Sequence, residues 1–336
     1  MLFFAANLFA DLMLQDRFQR LISYLRISVT DRCNFRCVYC MPENGVEIAP
    51  REEILTFEEI ERIVKVGAAL GLTKIRLTGG EPTVRRDLPT LVAMLRAIPE
   101  IKEIAMTTNA ALLDELAAPL KAAGMNRLNI SLDTLSREKA REIARRDEFS
   151  RVMAGIAVSK RAGLEIKFNT VVMRGLNDDE LPDLLEFARG YDAQIRFIEY
   201  MPMGMARFDE RNRLVTAAEM REILAQKFDL VPELENGDPA RGYICRKSGA
   251  RAGFISSMSD HFCDSCNRMR LTAQGGLRPC LHQNAEVDAR AILRNGGSDE
   301  ELRSAFLEAA GLKWAGHHMN DIIPLFSSKE MVSIGG

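Results

Sequence analysis

Three observations predict an α/β protein built on a parallel sheet. Six short β-prone runs alternate with longer helical runs between residues 21 and 201. The repeat is roughly 30 residues, the length of a strand–helix–strand unit. After Pro202 the alternation breaks. Six units fall short of an eightfold barrel, so the expected fold is an open partial barrel or a doubly wound sheet.

The strands are expected at residues 22–28 (ISYLRIS), 74–78 (KIRLT), 101–107 (IKEIAMT), 127–131 (RLNIS), 165–173 (EIKFNTVVM) and 194–200 (QIRFIEY). Helical periodicity covers residues 57–70, 88–98, 112–124 and 149–163 between them. Past Pro202 a helix at 216–227 precedes short strands and two helices near 286–310. That stretch reads as a C-terminal subdomain. The division expected is thus an extension (1–15), a barrel (16–205) and a C-terminal subdomain (206–336).

The first fourteen residues carry only two polar side chains, Asn7 and Asp11, which share one face of a helix. The stretch is too short to span a bilayer, and no basic residue precedes Arg17, so it does not read as a signal peptide. An extension packed on the surface is expected, with a membrane or partner contact as the alternative.

Over 336 residues, 45 Lys and Arg balance 47 Asp and Glu, which argues against a general nucleic-acid or membrane-surface binder. A basic pocket for one small polyanion is still allowed. No apolar run approaches the length of about 18 that a transmembrane helix requires. The seven cysteines fall into Cys33, Cys37 and Cys40, then Cys263, Cys266 and Cys280, with Cys245 alone. An odd, clumped set without a secretory signal points to metal or redox chemistry rather than a disulfide framework, and Cys245 reads as a buried structural residue.

The strands also carry charge where helix-covered parallel strands are normally apolar. Arg26, Lys74, Arg76, Lys167, Asn169, Arg196 and Glu199 interrupt them. Lys74 and Arg76 share one face, as do Lys167 and Asn169. Either internal ion pairs satisfy these groups, or the barrel interior is polar and binds an anion.

The loop after the first strand holds Cys33-x3-Cys37-x2-Cys40 within RISVTDRCNFRCVYCMP (26–42). Three thiolates with no fourth Cys or His nearby suit a 4Fe–4S cluster with one iron free of protein ligands, against a zinc loop closed by a distant ligand. The second strand ends in LTGGEPTVR (77–85), where Gly79 and Gly80 allow close backbone approach and Glu81 adds a carboxylate. The second triplet is Cys263-x2-Cys266-x13-Cys280. On spacing alone it fits a zinc site closed by His261 or His282 as well as it fits a second cluster. Arg268 and Arg270 between its members point the same way in an extended segment, and their forks suit phosphate. His317 and His318 read as a loop or helix end.

CxxxCxxC after strand one and GGEP after strand two resemble the radical S-adenosylmethionine (SAM) superfamily. KIRLTGGEPTVRRDL, MTTN, ISLDTL, IKFNTVVM, IEYMPM, CDSCNRMRLTAQGGLRPCL and the final IGG resemble the MoaA-type GTP 3′,8-cyclases, over about residues 16–336. The family often has Asp where Gln274 stands, in a turn. The resemblance implies a partial (βα)6 TIM-like barrel with a C-terminal Fe–S subdomain, and two 4Fe–4S clusters on the two cysteine triplets. It places SAM contacts on Tyr39, Gly80, Ser131 and Met201. It places GTP contacts on Arg26, Arg76, Thr107, Lys167, Arg268, Met269 and Arg270, and gives Gly335 and Gly336 an active-site role. Taken alone, such a glycine pair is usually disordered.

The implied reaction is radical cyclisation of GTP to 3′,8-cyclo-7,8-dihydro-GTP, the first step of molybdenum-cofactor synthesis. The implied enzyme is cytoplasmic, a monomer or homodimer, and binds neither nucleic acid nor membrane. An electron donor such as flavodoxin or ferredoxin would serve it, with pyranopterin monophosphate synthase downstream. Two rival readings are a peptide-modifying radical SAM enzyme and a non-enzymatic zinc or electron-transfer module.

Overall fold

The computed structural model describes residues 13–201, 213–234, 238–260, 262–317 and 331–335. Residues 1–12, Pro202, His261, His318 and Gly336 lie outside that set, and with them most of the expected extension.

Six strands, β1 (Tyr24–Ser28), β2 (Lys74–Thr78), β3 (Glu103–Thr108), β4 (Arg127–Ser131), β5 (Glu165–Val172) and β6 (Gln194–Glu199), pair in parallel in sequence order. Helices α1 (Phe57–Ala69), α2 (Leu88–Arg96), α3 (Leu113–Ala122), α4 (Arg137–Ala144), α5 (Phe149–Arg161) and α6 (Leu181–Gly190) connect them. This is the expected βα alternation. The helix α7 (Ala217–Ala225) follows β6.

Two local devices show how sequence sets these elements. Thr56 and Glu59 form a reciprocal capping box at the start of α1. Ile60, Ile63, Val64 and Gly67 then make a buried stripe at helical spacing. A side chain at Gly67 would bring Cβ to 2.5 Å from Leu72 and 3.0 Å from Phe306. Phe306 lies on α9 (Asp299–Gly311), which follows α8 (Ala289–Arg294). Glycine therefore lets this C-terminal helix dock on α1.

The later strands join the same sheet. β10 (Arg268–Leu271) pairs in parallel with β1, and β9 (Arg251–Ile255) in parallel with β6. Antiparallel β11 (Gly276–Arg278) and β12 (Val287–Asp288) continue one edge, and β8 (Arg241–Cys245) and β7 (Leu230–Pro232) the other. The described strands between residues 230 and 288 thus extend both sides of the barrel wall. The sheet order ends in β12 and β7, so the barrel is open.

Strand alternation sorts the side chains. Leu25, Ile27, Ile75, Leu77, Phe168, Ile195, Phe197, Met269 and Leu271 face the helices and are buried in one apolar core. Their neighbours, Arg26, Arg76, Asn169, Arg196, Arg268 and Arg270, line the concave face. Leu14, placed in the extension by sequence, belongs to the core: it is 1% exposed, and its N–H donates to Leu70 O at 2.7 Å. Cys245 is also buried in that core.

Candidate active site

The concave face encloses a cavity of about 340 Å³ that both cysteine triplets line. The first triplet sits in the loop after β1. Cys40 N–H and Met41 N–H donate to Cys37 O, curling the chain into a turn between these two cysteines. Arg36 N–H and Val38 N–H pair with carbonyls of Ala144 and Ile143 at the end of α4, and Asn109 Nδ2 donates to Asn34 Oδ1 at 2.8 Å.

The GGEP segment holds this loop from the other side. Gly80 N–H donates to Thr30 O and Glu81 N–H to Arg32 O, each at 2.8 Å. A Cβ on Gly80 would lie 2.2 Å from Arg32 O. Gly80 does line the cavity, yet the close approach that requires glycine is made by the cysteine loop itself. Glu81 accepts from Thr83 N–H, Thr83 Oγ1, Thr108 Oγ1 and Asn109 N–H at 2.6–3.1 Å. Burial raises its carboxyl pKa against those four bonds.

Burial, then the charges of Cys40, Asp133 and Cys33, push the Cys37 thiol well above its ordinary value. Burial pushes Cys33 up to about 11. Half-buried thiols that oppose one another's ionisation lose their protons to a bound metal, which deprotonates its ligating thiols outright. That donor set fits an iron–sulfur core.

In the second triplet burial opposes ionisation of Cys266, but Arg268 and Lys313 outweigh it and bring the thiol down to about 6. Arg268 Nη2 lies 3.6 Å from Cys266 Sγ. Burial raises Cys263, and Cys280 and Cys266 add to the rise. These three sulfurs also form a fitting donor set. His282 and His317 line the cavity beside them with ring centroids 5.1 Å apart.

Between the triplets runs a row of cations. Arg26 stands in register with Arg76 on β2 and Arg270 on β10. Burial, then Arg270 and Arg76, push Arg26 well below the ordinary arginine value. Burial and Arg268 push Arg270 down to about 10. Such crowding is unfavourable without an anion. Tyr24 OH, Arg76 Nε, Thr107 Oγ1, Asn129 Nδ2, Asn169 Oδ1 and His282 Nδ1 are buried side-chain atoms without a hydrogen-bond partner. All but Asn129 belong to residues lining the cavity, and they fit a polar, anionic ligand.

Sequence-predicted residues fall into four groups. Tyr39, Gly80, Ser131, Met201, Arg26, Arg76, Thr107, Arg268 and Arg270 line the cavity with all six cysteines. Lys167 is half-buried outside the lining, two residues before the lining Asn169. The Met269 side chain is 1% exposed and lies in the helix-facing core, because strand neighbours point to opposite faces, so only its main chain is left to meet a cavity ligand. Gly335 accepts a hydrogen bond from Arg270 Nη1 beside Ser28 and Thr78, which places it within the barrel.

The internal-pairing alternative for the strand charges holds at one end. Lys74 pairs with Glu103 at 3.6 Å and Arg127 with Glu103 at 2.5 Å.

The partners of several site residues escaped sequence reasoning. Asp133, in ISLDTL, accepts from Tyr39 OH at 2.8 Å and from Val171 N–H at 2.9 Å, and burial raises its pKa to about 6. Arg196 was visible as a charged strand residue; it is 2% exposed and pairs with Asp238 at 2.6 Å. Glu199 accepts from Ala217, Met258 and Ser259 N–H, tying β6 to α7 and to the turn after β9. Glu199, like Arg196, was visible only as a charge on a strand, and no spacing signalled Asp133, because its partners are distant in sequence.

An open parallel barrel with a three-cysteine loop after its first strand defines a radical SAM enzyme, which works with SAM and an iron–sulfur cluster. The Radical SAM superfamily model matches residues 27–188, and the Molybdenum Cofactor Synthesis C model residues 193–319. The chain is 46% identical to a GTP 3′,8-cyclase of Syntrophomonas wolfei, over 96% of this chain and 99% of that one. It is 46% identical to another of Pelotomaculum thermopropionicum, over 96% and 100%. The chain belongs to the GTP 3′,8-cyclase family. The crystal structure of Streptococcus suis SuiB bound to S-adenosylmethionine shares the fold, with TM-score 0.60 at 16% identity, over 94% of this chain and 79% of that one. Among the described residues no helix is long and apolar enough to cross a membrane.

Proposed function

We propose that this chain converts GTP to 3′,8-cyclo-7,8-dihydro-GTP, the opening step of molybdenum-cofactor synthesis, using two 4Fe–4S clusters. The observation that carries the reading is one cavity lined by two separate cysteine triplets with an arginine row between them.

Cys33, Cys37 and Cys40 hold the first cluster, and Cys263, Cys266 and Cys280 the second. When bound, the first cluster supplies the electron that cleaves the SAM sulfonium and yields a 5′-deoxyadenosyl radical. The chain does the positioning. Tyr39, Gly80, Ser131 and Met201 surround SAM, and Asp133 fixes the Tyr39 hydroxyl. Arg26, Arg76, Arg268 and Arg270 hold the triphosphate, with Lys167 adding charge from the edge and Thr107 a hydroxyl. Their fixed guanidiniums need no reorganisation as substrate binds. The ribose 3′ carbon is thereby held for hydrogen abstraction, and guanine C8 for attack by the resulting carbon radical. One electron from a donor such as flavodoxin or ferredoxin, with one proton, would then convert the cyclised radical to the 7,8-dihydro product. A pyranopterin monophosphate synthase takes the product.

GTP carrying deuterium at C3′ tests this reading. Anaerobic turnover is expected to move that deuterium into 5′-deoxyadenosine. SAM cleavage without transfer from GTP would refute the assignment.

A further inference from the structure

We propose that Arg20 and Lys313 are positioning residues for the C-terminal cysteine triplet, and that the Lys313 ammonium sets the reduction potential of the group held there. This rests on the reading that Cys263, Cys266 and Cys280 bind a second cluster.

Two buried cations hold the main chain at or beside every member of that triplet. Arg20 Nη1 donates to Cys263 O at 2.7 Å. Lys313 Nζ donates to Arg268 O, two residues past Cys266, at 2.7 Å, and to Pro279 O, next to Cys280, at 2.8 Å. The two clamps are joined. Arg20 also donates to Trp314 O at 2.5 Å and Ala315 O at 2.8 Å, so it holds the segment that carries Lys313. Residue 20 thus connects to residues 263 and 315 through one planar guanidinium, whose fork suits several fixed acceptors at once.

The two cations differ in charge balance. Arg20 is neutralised by Asp16 at 2.6 Å, both side chains being buried. Lys313 is 3% exposed, and among the described residues its hydrogen bonds go to two neutral carbonyls and no carboxylate pairs with it. A buried ammonium with only dipoles for partners is costly unless an anion lies near. The anion its position fits is the thiolate-ligated cluster. One-electron reduction makes such a cluster more negative, so a fixed neighbouring cation favours the reduced form and raises the potential. Arg20, already paired, positions the loop and leaves the potential largely alone.

The test is an EPR-monitored redox titration of the reconstituted enzyme, with a one-electron chemical reductant as titrant. It is repeated in a background where Cys33, Cys37 and Cys40 are all alanine, so that one cluster reports. Lys313→Gln keeps hydrogen-bond donors and removes charge; Lys313→Arg keeps the charge. The expectation for Lys313→Gln is the wild-type iron content, a lower potential for the C-terminal cluster and an unmoved N-terminal one. Lys313→Arg restores the potential. For Arg20→Gln, selective loss or spectral broadening of the C-terminal cluster is expected, with about four irons retained on the N-terminal triplet. Full iron at the wild-type potential in Lys313→Gln overturns the electrostatic role. An unaltered spectrum in Arg20→Gln overturns the clamp. About four irons in the wild-type chain would instead overturn the second-cluster reading itself.

Discussion

Arg270 Nη1 donates to the main-chain carbonyl of Gly335, and the absence of a side chain on Gly335 is what permits it. A Cβ there would lie 2.6 Å from Thr78 Oγ1, and the residue has φ +69°. Val332 and Ile334 are buried just before it, Ile334 packing with Met201, Met258, Leu281 and Met331. The glycine therefore reaches the arginine row from an anchored segment. Deleting Gly335 and Gly336 is expected to leave cluster content, thermal stability and GTP affinity nearly intact while cyclised product falls by orders of magnitude. A peptide of sequence MVSIGG should partly restore turnover. Full activity of the truncated enzyme with excess SAM and reductant would remove the tail from the active site.

The two triplets are expected to divide the labour. Cys37→Ala should abolish SAM cleavage and keep the C-terminal cluster. Cys266→Ala should keep some uncoupled cleavage to 5′-deoxyadenosine and yield no cyclised product. Product from Cys266→Ala at the wild-type rate would exclude a substrate-facing second cluster.

Arg268 and Arg270 supply charged hydrogen bonds to phosphate in the proposed pose. Replacing either with Ala should weaken GTP binding by about 1.5–3 kcal/mol, roughly ten- to a hundredfold. Guanosine, which lacks phosphate, should bind nearly as before. Anaerobic calorimetry showing equal losses for both ligands would indicate a folding defect.

Lys167 gives a pH signature. Burial, then Arg196, pushes its ammonium down to about 8. Below that pH it is charged and attracts a polyanion; above it, binding must take up a proton. GTP affinity is expected to fall from pH 7.5 to 9.5, and Lys167→Arg should flatten that fall. For folding the sign is opposite. The unfolded lysine keeps its proton up to 10.5, so this group alone makes stability rise with pH between about 8 and 10.5. An affinity that falls equally in Lys167→Arg would exclude Lys167 as the titrating group.

Gly80→Ala should destabilise the cysteine loop by about 1–3 kcal/mol, the usual cost of overpacking. Its Cβ would meet Arg32 O at 2.2 Å, a main-chain atom that cannot swing aside. Loss of the N-terminal cluster with the C-terminal one retained is the expected iron analysis. Normal loading of both would place the glycine requirement elsewhere.

The sequence by itself determined the barrel strands, because the two-residue alternation between helix-facing and interior side chains is a local property. It determined the first cysteine triplet and the Arg268–Arg270 pair, each within one loop or one strand, and the second triplet, whose members stand either side of β10 and β11. Tertiary structure decided what joins them. β10 lies beside β1, which brings Arg270 into register with Arg26 across 244 residues of chain. Strand phase turned Met269 into the core, although it sits between two cavity residues. Arg20, Asp133, Glu199 and Lys313 have partners up to 295 residues away, such as Val171 for Asp133 and Ala315 for Arg20. No spacing along the chain encodes contacts of that kind. They exist because a curved sheet carries the ends of distant strands to one rim, where buried charges and carbonyls must find each other or remain unsatisfied.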